Sequence, residues 1–478
     1  MSCLSRVPGW RGQDALATAG ETPALRIMSL LDAMFGWGAV DTIFSDRVRV
    51  QRMLDFEAAL ARAEGRVGVI PAAAASVISE KCRAELVDFE ALSRAAVEAG
   101  NLAIPMIKQL TELVRKENPE AARYVHWGAT SQDAIDTGLV LQVREALRLI
   151  EGGLERVSDA VAMLAEKYRD TPAAARTWMQ QAIPTVFGLK AAGWLDAITR
   201  HRVRIRELQE RVLVLQFGGA AGTLASLHDR GLEVAVALGE ELQLAVPDLP
   251  WHAHRDRIAD LATTLALMTG TLGKIARDVS LQMQTEVGEV SEPAGEGRGG
   301  SSTMPQKRNP VACAAILAAS ERMPGLVSVI LSSMPQEQER GLGGWHAEWE
   351  TLPELVRVSG GALHRAEEMI AGLEVDAERM RQNLEITHGL IYAEAVAMAL
   401  SAQMGKRAAH ELLEKASRKA LLERKHLRDV LAGDPEISSR LNPTELAQLF
   451  DPMKYLGMSS RFVDCVLATS KTIPKGKA

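Results

Sequence analysis

Three stretches of this 478-residue chain carry apolar residues in steps of three and four over several helical turns. The first runs Val140, Val143, Leu147, Ile150, Leu154, Val157, Val161, Leu164; the second Trp194, Ile198, His201, Ile205, Leu208, Val212, Leu215. The third runs Ile258, Leu261, Leu265, Met268, Leu272, Ile275, Val279. A seam recurring about every 3.5 residues keeps facing one neighbour only if long helices cross at about 20°. Each pattern lasts roughly 20 to 30 residues, or about 30 to 45 Å at the helical rise. Such helices make an elongated bundle with more apolar seam than one chain easily covers, which favours association through helices. A plain monomeric bundle satisfies the same spacing.

The rest of the chain is organised around that block. Aromatics make up 4% of the residues and no stretch alternates convincingly with period two, so the fold class is all-α. Three helical domains are expected at 28–133, 134–376 and 377–478. The first holds shorter helices, including 50–63 and 89–99, broken near Pro71 and Pro105. In the last, Thr387-His388-Gly389, Gly433-Asp434-Pro435 and Asn442-Pro443 read as turns between short amphipathic helices. Residues 1–27 lack periodicity and read as a disordered tail without assigned function. A formal charge of -6 and a pI near 6.0 argue against a nucleic-acid partner. No apolar run reaches the roughly 18 residues that cross a bilayer. Cys3, Cys82, Cys313 and Cys465 lie far apart and read as free thiols of a reducing, cytoplasmic setting.

Three polar islands interrupt the helical pattern. Gly128-Ala129-Thr130-Ser131-Gln132-Asp133 precedes a long helix starting near Ala134. Hydroxyls followed by an acid there suit an N-cap, and the free N–H groups suit an anion; spacing leaves both open. The second island, Arg176-Thr177-Trp178-Met179-Gln180-Gln181-Ala182-Ile183-Pro184-Thr185, reads as a Pro-marked helix start. In the third, Gly295, Gly297, Gly299 and Gly300 lead into Ser301-Ser302-Thr303-Met304-Pro305-Gln306-Lys307-Arg308-Asn309-Pro310. Glycines make this segment flexible, as suits a lid, while Asn309 and Pro310 suit the cap and first turn of the next helix. Lys307 and Asn309 would then stand where a substrate carboxylate is welcome. Elsewhere, His252-x-His254 has metal-ligand spacing but no Cys or carboxylate cluster to complete a site. Its alternative is a pair of partly exposed imidazoles. Arg255 and Arg340 could each grip a carboxylate, and His126 and His346 could line a site or merely pack.

The third island resembles the G-S-S-x-M-P-x-K-x-N signature of the fumarase/aspartase superfamily almost letter for letter. The first resembles that family's Thr-Ser carboxylate-binding segment and the second its T-H-x-x-x-x-x-P segment. The resemblance covers essentially everything from Met28 onward. It implies a homotetramer with a 20-helix core and active sites assembled from three subunits. It also implies Ser301 as the group that moves a proton alpha to a carboxylate. Thr130, Ser131, Lys307 and Asn309 would bind substrate carboxylates, with Ser302, Arg340, Trp178, Gln181 and His346 around them.

Two departures narrow the chemistry. Trp178 stands where many relatives have histidine, and Ala314 where they have glutamate, the charge-paired unit that handles the leaving group. An amine or hydroxide leaves more readily when a positioned acid protonates it. A carboxylate, with a pKa of about 4, leaves unaided. Residues 213–220, 251–257, 334–340 and 345–349 resemble the bacterial 3-carboxy-cis,cis-muconate cycloisomerases, although a histidine at Gln181 would resemble them more closely. The resemblance therefore implies lactonisation of a small tricarboxylate, with no metal or organic cofactor. The rivals are a fumarate-releasing C–N lyase of the adenylosuccinate or argininosuccinate type, and a noncatalytic helical tetramer.

Overall fold

The computed structural model describes residues 31–295, 299–300, 303–304 and 306–474. The expected tail, residues 1–27, lies outside the described residues, as do Ser301, Ser302 and Pro305. Helices dominate the described part, and its strands form two small antiparallel pairs. Helix α1 (Asp46–Val67) leads the first lobe, where Pro105 lies in the first turn of Ala103–Glu117 rather than at a break. Proline is tolerated there because its missing N–H would have had no helical partner.

The three seams become three of the longest helices: α2 (Ser131–Lys167), α3 (Phe187–Val212) and α4 (Asp256–Gln282). Two more were not singled out by periodicity, α5 (Val311–Ser333) and α6 (Gly344–Ala371), and both carry an internal proline. Helix α2 packs on α3, α4 on α5, and α5 on α6, so the chain runs up and down one elongated bundle. Val157, Leu265 and Leu363 are among the residues wholly withdrawn from solvent in its core. Separate apolar clusters fill the first lobe, around Met106 and Leu110, and the last, around Leu413 and Leu431.

The second island is a hairpin, not a helix start: β1 (Pro172–Thr177) pairs with β2 (Gln180–Val186), and Thr177 sits opposite Gln180. Its two-residue turn, Trp178-Met179, has both φ angles positive, 51° and 67°. That geometry matches the twist of a tight hairpin, yet Asn and Gly, which signal it, are absent, so the local sequence conceals the turn. Helix α5 is by length and composition apolar enough to cross a membrane, although Glu321 and Arg322 interrupt its apolar run. Only 22% of its most apolar window is buried within the chain.

Candidate active site

The first island begins with a turn that the backbone dictates. Gly128 has φ 71°, and a Cβ there would lie 2.6 Å from Leu227 Cδ2. Thr130 then caps α2 from extended backbone (φ −130°, ψ 160°), and its N–H donates to Asp133 Oδ2 at 3.0 Å. The helix starts at Ser131, three residues before the expected Ala134. Asp133 is fully buried and also accepts from Gly218 N (3.0 Å) and Gly219 N (2.9 Å). Its Oδ1 lies 2.7 Å from His252 Nε2. The expected exposed imidazole is thus a buried one committed to a carboxylate. Among the described residues, no group of three His, Cys, Asp or Glu could hold a metal ion.

One helical turn further on, a second buried network fixes the surroundings. Arg255 donates to Asp136 Oδ2 (2.7 Å) and to Glu348 Oε1 (3.0 Å), and Trp345 Nε1 reaches Asp136 Oδ1 (3.0 Å). Both acids and the arginine are buried, and burial holds the Glu348 carboxyl above its ordinary range. Arg255 therefore serves the framework and is not a substrate ligand, because its guanidinium is spent on two internal carboxylates. Arg340 behaves differently: Nη1 donates to Thr130 Oγ1 and Nη2 to Ala220 O, both at 3.0 Å. It joins the 334–343 connection to the capping hydroxyl itself. His346 is exposed, with its ring 4.6 Å from Trp349 and 5.4 Å from Trp345, so it packs on that aromatic pair. His126 bonds through Nδ1 to Glu57 at 2.7 Å.

The opposite end of the bundle is built around a single stretch, 289–292. Arg176 of β1 grips the buried Glu289 carboxylate with two bonds of 2.7 and 2.9 Å. Asn383 Nδ2 shares Glu289 Oε1 at 2.8 Å, and Gln181 donates to Asn383 O at 2.8 Å. Beyond these anchors Trp178 projects from the hairpin tip, 98% exposed. The short pair β3 (Val290–Ser291) and β4 (Glu374–Val375) follows.

Glu292, also buried, accepts from Ala312 N (3.0 Å) and Cys313 N (2.8 Å) at the start of α5. This corrects the expected cap: the helix starts at Val311, after Pro310, and its free N–H groups already hold the chain's own carboxylate. Asn309 instead closes the third island, its N–H donating to Gly299 O at 2.8 Å. Gly299 has φ 64°, and a Cβ there would sit 2.6 Å from Asn309 O, so only glycine fits. Arg308 pairs with Glu374 at 2.9 and 3.0 Å across the same base. Lys307 and Ala314 are exposed. Ser301 and Ser302 lie outside the described residues.

Within one chain these two groups stay apart. Thr130 stands at the start of α2 and the Trp178 hairpin follows its end; 37 helical residues span about 55 Å. Helix α4 repeats the separation, with His252 and Arg255 before it and Glu289 and Glu292 after it. Periodicity missed Glu57, Glu289, Glu292, Glu348 and Asn383, because their partners are remote in sequence. An acid inside an otherwise apolar seam, such as Glu57 or Glu348, was the one available signal.

The chain matches the lyase family over residues 38–325 and the adenylosuccinate lyase C-terminus over 389–466. It is 56% identical to the 3-carboxy-cis,cis-muconate cycloisomerase of Pseudomonas aeruginosa, over 92% of this chain and 96% of that protein. Identity to the enzyme of the same name from Bradyrhizobium diazoefficiens is 53%, over 92% of this chain and 97% of that one. The crystal structure of 3-carboxy-cis,cis-muconate lactonizing enzyme from Pseudomonas putida superposes with a TM-score of 0.89 at 50% identity. It covers 92% of this chain and 99% of that one.

Proposed function

We infer the reaction from one premise: this chain belongs to the lyase family, within the fumarase/aspartase superfamily. It acts as a lactonising cycloisomerase, converting 3-carboxy-cis,cis-muconate to the carboxymuconolactone in the protocatechuate branch of aromatic catabolism. The observation that carries this reading is high identity to cycloisomerases along nearly the whole chain, joined to Trp178 and Ala314 where a leaving-group acid would stand.

The proposed course uses the residues as follows. One substrate carboxylate oxygen forms a C–O bond to the conjugated double bond. The displaced electron pair flows into a second carboxylate, giving an aci-carboxylate that Lys307, Asn309 and neighbouring N–H donors stabilise. The Ser301 hydroxyl delivers its proton to carbon and regains one from solvent; in reverse it removes the carbon proton. Thr130, Ser131 and Arg340 hold a carboxylate at the start of α2, where the helix dipole favours an anion. Ser302, Trp178, Gln181 and His346 complete the proposed binding set. The 55 Å separation of the islands and the uncovered apolar face of α5 support a homotetramer whose sites draw on several chains.

The test compares wild type, Ser301→Ala and Trp178→His/Ala314→Glu on the carboxymuconate and on succinyl-amines, following diene absorbance and fumarate release. Wild type should consume the muconate, and the restored His/Glu pair should bring no gain, since a carboxylate leaves without a proton. Turnover of a succinyl-amine by wild type, with none of the muconate, would replace the cycloisomerase by a C–N lyase.

A further inference from the structure

Helix α1 buries two glutamates two turns apart, Glu57 and Glu64, both withdrawn from solvent. Neither Glu64 oxygen meets a hydrogen-bond partner, and burial together with the Glu57 charge pushes its carboxyl up to about 9. Glu64 is therefore neutral at physiological pH. Glu57 Oε1 meets His126 Nδ1 at 2.7 Å, and Glu57 Oε2 has no hydrogen-bond partner among the described residues. His126 itself is held at φ 59°, a left-handed conformation unusual for a side-chain-bearing residue, and Gly128 follows at φ 71°. Strain of this kind persists only where the surroundings over-determine it, and the Glu57 bond is one restraint on this ring. The next residues are Ala129 and Thr130, whose hydroxyl meets Arg340.

We propose that Glu57 is a positioning residue for the reaction: by gripping His126 it holds the 126–130 turn in the form that presents Thr130 and Ser131 to a substrate carboxylate. This rests on the proposed anion-binding role of the first island. Glu57 also favours the protonated form of His126. Burial disfavours the imidazolium, but the Glu57 and Asp133 carboxylates outweigh burial and raise His126 above its ordinary range. The groups facing Glu57 are Glu64 on its own helix and the Cys82 thiol, which burial keeps protonated. Protonation of His126, four residues before Thr130, makes the first island less negative by one charge and so favours a polyanionic substrate, and that advantage fades as pH rises through the His126 titration.

The experiment measures KM and kcat for 3-carboxy-cis,cis-muconate from pH 6 to 9 in wild type, Glu57→Gln, His126→Asn and Thr130→Ala. Asn tolerates the left-handed backbone, so His126→Asn decides the matter should Glu57→Gln fail to fold. Glu57→Gln and His126→Asn should raise KM roughly tenfold with kcat within about twofold, as expected when ground-state binding is lost. In wild type KM should climb with pH; in Glu57→Gln the climb should begin at lower pH, and in His126→Asn it should vanish. If Thr130→Ala raises KM while both other variants keep the wild-type KM and pH profile, the positioning role is wrong and the island's role stands. If Thr130→Ala leaves KM unchanged, the anion-binding reading itself is overturned, and this inference with it.

Discussion

The two ends of the long bundle solve opposite problems. At the Thr130 end, residues from 126–137, 213–220, 251–257 and 334–349 are cross-bonded within one chain, through Asp133, Asp136, Arg255 and Glu348. At the other end the anchors Glu289 and Glu292 are equally buried, but what they hold faces outward: the exposed Trp178 tip and Lys307. Buried charges must be paired, so the first end is rigid by necessity. The second keeps its chemistry outside its anchors, where another chain can reach it. A polar end finished internally and a polar end left open are what a shared site requires of each subunit.

The sharpest way to break this comparison is complementation. Ser301→Ala should lower turnover by roughly 10²- to 10⁴-fold, and Thr130→Ala/Ser131→Ala should lower kcat/KM through the opposite end. If a site draws the two ends from different chains, random mixing of the variants restores both groups in about a quarter of sites. Recovery of that activity at substrate well below KM checks it. Confirmed subunit exchange with no recovery would mean that each chain closes its own site.

A smaller effect sharpens the contrast in stability. Asp133→Asn keeps the shape but loses an acceptor facing two glycine N–H groups and His252, and should cost about 3 kcal/mol or more in urea unfolding. Glu374→Gln, which breaks the half-exposed Arg308 pair at the open end, should cost under about 1 kcal/mol. Equal costs would erase the distinction between the ends.

The last check is a slope of stability against pH. Glu64 holds its proton to about 9 in the folded chain, whereas in the unfolded chain it ionises in the ordinary carboxylate range. Between those limits the folded state binds the extra proton, so stability falls as pH rises, by at most about 1.4 kcal/mol per pH unit from this group. Glu64→Gln should flatten that slope between pH 5 and 9. A slope unchanged in Glu64→Gln would place the titration elsewhere.

Much of this was legible in the residues. The 3.5-residue seams gave α2, α3 and α4, and Thr130 was recognisable as a cap because hydroxyl and acid stand three residues apart. Asn442-Pro443 and Asp434-Pro435 likewise start short helices in the last lobe, with the Asn and Asp side chains capping. The hairpin at Trp178 was not legible, since a left-handed turn without glycine or asparagine leaves no local mark. Nor was the fate of Arg255 against that of Arg340, two arginines of similar promise, one spent on Asp136 and Glu348 and the other bonded to the Thr130 hydroxyl.

Local chemistry thus determined what each segment does by itself: helical period, capping, and the glycines that a tight turn demands. Those properties depend on neighbours within a few residues. Only the tertiary structure decided which charges are spent on the framework and which face outward, and that the three islands lie at opposite ends of one bundle. The pairs Asp133–His252, Arg176–Glu289 and Glu57–His126 join residues far apart along the chain. No local period encodes such pairs, because they exist only once the long helices have carried their ends into contact.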